Sequence, residues 1–235
     1  MRRYLLVDDN RDFAENLAEI LSDHGASCAI ASDGEEALGR VRAGRFDALV
    51  TDMRMPGMGG AAVVHAVRRA DPGLPAVVIT AHAGDADLAA ARQEGLLAVL
   101  HKPVPVPRLV ELLAGARRDG LVAVIEDDPA LLDNLTELLR QRGFAAVTAS
   151  SVLDAERLGP VRPCAAVVDL RVPGGPDGEA ARRLAARFPG LPLVAVTAHP
   201  AAAPPACSAI FPKPFDPAAL LAAVERLHAG RSDPS

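Results

Sequence analysis

Short apolar runs alternate along this chain with longer stretches in which apolar residues recur every third or fourth position. In the first half the runs are Leu5–Val7, Cys28–Ala31, Ala48–Thr51, Ala76–Thr80 and Leu96–Leu100. None alternates apolar with polar. Each therefore predicts a strand covered on both faces, and such strands belong to a parallel sheet with helices on each side. Between the first two runs, Phe13, Leu17, Ile20 and Leu21 form one apolar stripe at helical spacing, and Gly25 follows as a stop signal. Five such strand–helix units predict an α/β, doubly wound, flavodoxin-like domain of sheet order 2-1-3-4-5.

The pattern is then written a second time. YLLVDDNRDFAENLAEIL from residue 4 matches VAVIEDDPALLDNLTELL from residue 122, and the stripe returns as Leu131, Leu135, Leu138 and Leu139 before Gly143. ALVTDMRMPG aligns with AVVDLRVPGG, and AVVITAH with LVAVTAH. A length of 235 residues suits two domains of about 110 to 120 residues each. The expected division is 1–117 and 118–230, with 231–235 as a flexible tail. One element does not repeat cleanly. From Thr80 to Lys102 is 22 positions, but from Thr197 to Lys213 only 16, and that shorter segment holds Pro200, Pro204 and Pro205. Interior prolines each cost a helix about 3 kcal/mol, so the second domain is expected to have a degenerate fourth helix.

Composition narrows the function. Aromatic residues are only 3%, so the core must be built from Val, Leu, Ile and Ala. The net charge of −5 is spread evenly over the halves, and neither presents the basic surface of a nucleic-acid or anionic-membrane binder. Cys28, Cys164 and Cys207 are odd in number and lack CxxC spacing, which argues against a disulfide framework and a structural zinc site. The apolar run near the N-terminus ends at Asp8 and Asp9, too short for a signal peptide, so a cytoplasmic protein is expected.

In an open parallel sheet, ligands bind beyond the carboxyl ends of the strands, where strand order reverses. Those ends present Asp8 and Asp9, Asp52, Thr80 and Lys102 in the first copy, and Glu126 and Asp127, Asp169, Thr197 and Lys213 in the second. Three carboxylates in one pocket repel one another unless a cation joins them, and an all-oxygen set suits a hard ion such as Mg²⁺. A carboxylate is also a nucleophile for phosphoryl transfer, for which an ammonium and a hydroxyl are suitable partners. Of the 25 basic residues, only Lys102 and Lys213 are lysine, both directly before a proline. A compact ammonium on a flexible stem enters a tight site where a forked guanidinium does not fit equally.

These motifs, in the same order twice, resemble the response-regulator receiver (CheY-like) domains of two-component signalling. The resemblance rests on the acidic pairs, DMRMPG and DLRVPG, the Thr-Ala pairs and the Lys-Pro pairs. It implies Asp52 and Asp169 as acceptors of phosphate from a phosphohistidine on a histidine kinase or phosphotransfer protein. It implies Mg²⁺, with Mn²⁺ as an alternative, held by Asp8, Asp9, Asp52 and the Arg54 backbone carbonyl, and by Glu126, Asp127, Asp169 and the Arg171 carbonyl. Thr80, Lys102, Thr197 and Lys213 would contact the phosphoryl group, and cis Lys–Pro bonds are expected. Side chains two residues past the acceptor or the threonine (Arg54, His82, Arg171, His199) would tune its hydrolysis. The family's aromatic switch residue is replaced by Val99 and Ile210.

The surface of fourth helix, fifth strand and fifth helix, usual for dimers or output, is expected in the first copy, which would allow a homodimer there. No DNA-binding motif or other output domain is apparent, so the expected output is contact with a downstream protein. Self-phosphorylation and self-dephosphorylation on Asp are expected, without turnover of an external substrate. The alternative is a non-phosphorylated adaptor, or a phosphate sink in a phosphorelay.

Overall fold

The structure, a computed structural model, describes residues 1–81, 86–159, 161–200 and 203–231. The chain divides into two compact units, residues 1–118 and 119–235.

The first unit runs β1 (Arg3–Val7), α1 (Arg11–Asp23), β2 (Ser27–Ala31), α2 (Gly34–Ala43), β3 (Ala48–Asp52), α3 (Gly60–Ala70), β4 (Ala76–Thr80), α4 (Ala86–Gln93), β5 (Ala98–His101) and α5 (Val106–Gly115). Its strands form a parallel sheet of order β2-β1-β3-β4-β5. β3 and β4 are buried along their whole length, as unalternating apolar runs require. Leu5, Leu49 and Val78 from the sheet pack with Val63, Val64 and Val67 of α3. The Asn10 side chain caps α1 by accepting from the Phe13 N–H at 3.0 Å. That helix ends just before Gly25, whose φ of +79° reverses the chain in a conformation that costs glycine little. The run expected to form a strand from Leu96 pairs as β5 only from Ala98. Leu96 and Leu97 are buried as the chain approaches the sheet.

The second unit runs β6 (Leu121–Ile125), α6 (Pro129–Gln141), β7 (Ala145–Ala149), α7 (Val152–Glu156), β8 (Ala165–Asp169), α8 (Glu179–Arg187), β9 (Leu193–Thr197), β10 (Cys207–Pro212) and α9 (Pro217–Ala229). Its parallel sheet has the order β7-β6-β8-β9-β10, the same winding as the first. Val124, Val167 and Val194 meet Leu135, Leu139 and Val224 in its core. Between β9 and β10 the described residues form no α-helix, as the three prolines lead one to expect. β10 half-buries alternate residues, leaving Ser208, Ile210 and Pro212 exposed.

The three cysteines are free, and burial pushes the thiols of Cys28 and Cys164 up to about 11. No helix among the described residues is long and apolar enough to cross a membrane.

Candidate functional site

Because every strand of a parallel sheet points the same way, the residues that end β1, β3, β4 and β5 share one rim. Asp8 follows β1, Asp52 closes β3, Thr80 closes β4 and Lys102 follows β5. Asp8 is 5% exposed and Asp52 8%. The Lys102 ammonium bridges them, 2.8 Å from Asp52 Oδ1 and 3.4 Å from Asp8 Oδ2. The other oxygens are held by backbone: the Arg54 N–H donates to Asp52 Oδ2 at 3.2 Å, and the Asn10 N–H to Asp8 Oδ1 at 2.9 Å. The Lys102 N–H donates to the Thr80 carbonyl at 2.9 Å, which fixes the start of the following loop against β4. The Lys102–Pro103 peptide is cis.

The second unit repeats this arrangement more tightly. Lys213 Nζ lies 2.7 Å from Asp169 Oδ2 and 2.9 Å from Glu126 Oε2. The Arg171 N–H donates to Asp169 Oδ1 at 2.9 Å, and the Asp128 N–H to Glu126 Oε1 at 3.2 Å. The Lys213 N–H donates to the Thr197 carbonyl at 2.9 Å, and Lys213–Pro214 is also cis. The extra methylene of Glu126 does not take it out of the cluster. Glu126, Asp127 and Asp169 each place an oxygen within 4.8 Å of the others, and Asp8, Asp9 and Asp52 do not converge that closely.

Electrostatics follow from burial. Desolvation pushes the Asp8 carboxyl above its ordinary value, against the Asn10 N–H and Lys102, which pull it down. Glu126 is raised in the same way, against the pull of Lys213 and the Asp128 N–H. For Lys102 and Lys213 burial acts to lower the value, but the paired carboxylates outweigh it and both ammonium groups are held above the ordinary lysine range. Each site is thus a buried acid joined to a second carboxylate, Asp52 or Asp169, by a firmly charged lysine. The donors are carboxylate oxygens throughout, which fits a hard divalent ion and gives a soft metal no nitrogen or sulfur ligand.

The structure brings together Asp8, Asp52 and Lys102, and Glu126, Asp127, Asp169 and Lys213, with Thr80 and Thr197 buried at the adjacent strand ends. Asp9 is exposed beside its cluster. The Arg171 guanidinium bonds Asp177 at 3.0 Å instead of turning toward Asp169. His199 is exposed and donates its N–H to Thr197 Oγ1 at 3.0 Å, whereas His82 lies outside the described residues. Val99 packs half-buried against the core, and Ile210 stands 43% exposed. One contact was not visible in the sequence pattern. Phe13, which reads there only as part of the α1 stripe, lies with its ring 4.7 Å from the Lys102 ammonium. Its counterpart in the repeat is Leu131, which carries no ring.

The response regulator receiver domain family matches residues 4–114. A response regulator receiver protein of Anaeromyxobacter sp. (strain Fw109-5) is 66% identical over 231 residues, covering 98% of this chain and 97% of its own length. The transcriptional regulatory protein GlrR of Escherichia coli (strain K12) is 31% identical over 157 residues, covering 63% of this chain but only 34% of GlrR. Among solved structures, a CheY-like receiver domain protein from Methanospirillum hungatei JF-1 is 24% identical with a TM-score of 0.47, covering 48% of this chain and 91% of that one.

Proposed function

Since the chain belongs to the response regulator receiver family, we propose that both its units are Mg²⁺-dependent phosphoacceptors, with Asp52 and Asp169 taking a phosphoryl group from a histidine kinase or phosphotransfer protein. One observation carries this reading. In each unit the acceptor carboxylate is held at both ends in the same way, one oxygen on a lysine ammonium and the other on the backbone N–H two residues on. A solvated loop aspartate has no reason to be fixed twice, in two copies, by the same pair of donors.

The chemistry is written on these atoms. A carboxylate oxygen of Asp52 or Asp169 bonds to phosphorus as the P–N bond to the donor imidazole breaks, and the leaving nitrogen keeps the electron pair and takes a proton. Lys102 or Lys213 holds the charge of the phosphoryl oxygens, and Thr80 or Thr197 offers a hydroxyl from the next strand end. Asp8 with Asp9, and Glu126 with Asp127, would hold the divalent ion, which would supply positive charge to offset that of the transferred group. Water later attacks phosphorus, returning the carboxylate and releasing phosphate, so each unit resets itself without turning over an external substrate.

The signal then leaves through protein contacts. The first unit, with α4 flanking β5, is the main switch, and the second tunes it or stores phosphate. The test is intact mass after incubation with acetyl phosphate and Mg²⁺, on wild type, Asp52→Ala, Asp169→Ala and the double variant. Two phosphates on wild type, one on each single variant and none on the double support the reading. No adduct, from acetyl phosphate or from a phosphorylated kinase, would leave an adaptor that works without phosphate.

A further inference from the structure

The ends of the two sheets opposite these sites differ in charge. In the first unit, Arg118 follows α5 and donates to the Phe46 carbonyl just before β3. It also makes a two-pronged ion pair with Asp71, both bonds at 2.8 Å. In the second unit, Arg231 follows α9 and donates to the Pro163 and Cys164 carbonyls just before β8, at 3.3 and 3.1 Å. The repeat aligns Asp71-Pro-Gly-Leu-Pro with Phe188-Pro-Gly-Leu-Pro, so the position of the arginine's counter-ion holds Phe188. Two further changes have the same sign: Asp47 becomes Cys164 and Ala70 becomes Arg187.

The result is an open pocket of about 330 Å³ lined by Arg162, Arg187 and Arg231 with Pro163, Phe188 and Leu191, and by no carboxylate among the described residues. Two of the three cations are pinned. Arg187 donates to the carbonyls of Glu156, Leu158 and Gly159 and lies 5.1 Å from the Phe188 ring centre. Arg231 is held by its two carbonyls, and no ion pair to a carboxylate is formed by Arg162, Arg187 or Arg231 among the described residues. Asp119 is the acid whose charge reaches the adjacent Cys164, and it does not line the cavity. Fixed guanidinium donors around an apolar floor suit a compact dianion attached to an apolar or planar body.

We propose that this cavity at the amino-terminal end of the second sheet binds a small phosphate-bearing ligand, with Arg162, Arg187 and Arg231 on the oxyanion and Phe188 against the body. The ligand supplies the counter-charge that Asp71 supplies in the first unit. The site is remote from Asp169 in the chain's own geometry, since one lies at the start of the strands and the other at their ends, and it does not depend on phosphorylation.

The test is amide-resolved NMR titration of the full chain, without divalent ions, using adenosine monophosphate and, separately, inorganic phosphate. Saturable shifts at the amides of Arg162, Cys164, Arg187, Phe188, Leu191 and Arg231 are expected, with at least a tenfold loss of affinity in Arg162→Ala, whose side chain holds no backbone carbonyl. Phe188→Asp should abolish binding while leaving the unit folded, because the first unit carries an aspartate at that place. Tighter binding of the nucleotide than of inorganic phosphate identifies an organic phosphate, and equal binding identifies free phosphate. No saturable shift at these amides up to about 10 mM ligand, or undiminished binding in Phe188→Asp, would overturn the proposal.

Discussion

Arg68 offers a stringent test of the physical account of the first unit. It lies in α3 and is 2% exposed, with Nη1 donating to the carbonyls of Pro72 at 2.8 Å and Leu74 at 3.1 Å, and Nη2 to that of Gly95 at 2.7 Å. One side chain thus ties the end of α3 to the approaches of both β4 and β5. Burial lowers its value to about 10, against Glu94 and Asp71, so it remains charged at neutral pH. Arg68→Met keeps a flexible apolar stem and removes every donor. Hydrogen bonds from a charged group contribute about 1.5–3 kcal/mol each, and a buried carbonyl left without a partner costs about 1–3 kcal/mol. Set against this is relief from burying a guanidinium, and the balance comes to about 3 kcal/mol of lost stability. For a unit of this size that is a fall of about 10–20 °C in Tm. Thermal unfolding gives the size of the effect, and hydrogen exchange its place: amides of residues 1–118 should lose protection and those of 119–231 should not. A change below about 1 °C, with exchange unaltered, would refute the reasoning that these three bonds hold the unit together.

Three further outcomes follow from the same structure. For Asp8 and Glu126 the folded carboxyl is raised above its ordinary value, so the fold binds that proton more tightly than the unfolded chain and stability falls as pH rises through the raised value. Asp8→Asn and Glu126→Gln should therefore flatten the fall in Tm that begins at ordinary carboxylate values of 3.8 and 4.5 and extends upward, while impairing phosphorylation of the same unit. Gly60 opens α3 beneath the acceptor strand, where a methyl group would overlap the Asp52 carbonyl and stand 2.9 Å from Met53 Cα. Gly60→Ala should cost about 1–3 kcal/mol and abolish phosphate uptake at Asp52 but not at Asp169, as read by peptide mass mapping. Phe13→Leu, which copies the second unit, should cost no more than about 1 kcal/mol in urea unfolding, because it removes only the ring face beside Lys102.

Much of the fold was legible because the strands are buried on both faces. A run such as Ala76–Thr80 has no solvent side, so its composition alone marks it. The sites were legible for a related reason: a parallel sheet brings strand-terminal residues to one edge however far apart they lie in sequence. Arg68 was not. At the end of an amphipathic helix, beside Arg69, it reads as a solvated cation, and only the packing of three carbonyl groups from outside the helix turns it inward. The unequal convergence of the two acidic sets was also hidden, since Asp9 and Asp127 are the same residue at the same position in the pattern. The basic pocket has no signature in the sequence, because Arg162, Arg187 and Arg231 lie far apart in the chain and what sets them apart is an aspartate missing from the second copy.

The difference between the two acidic sets has a consequence for the order of events. In the first unit Asp9 stands apart from the pair that Lys102 bridges, whereas in the second Asp127 is already gathered with Glu126 and Asp169 beside Lys213. A divalent ion held as proposed should therefore fill the second unit at a lower concentration than the first, because fewer carboxylates must move to receive it. A titration with Mg²⁺ would show two steps, and between them the chain would be armed at one end only.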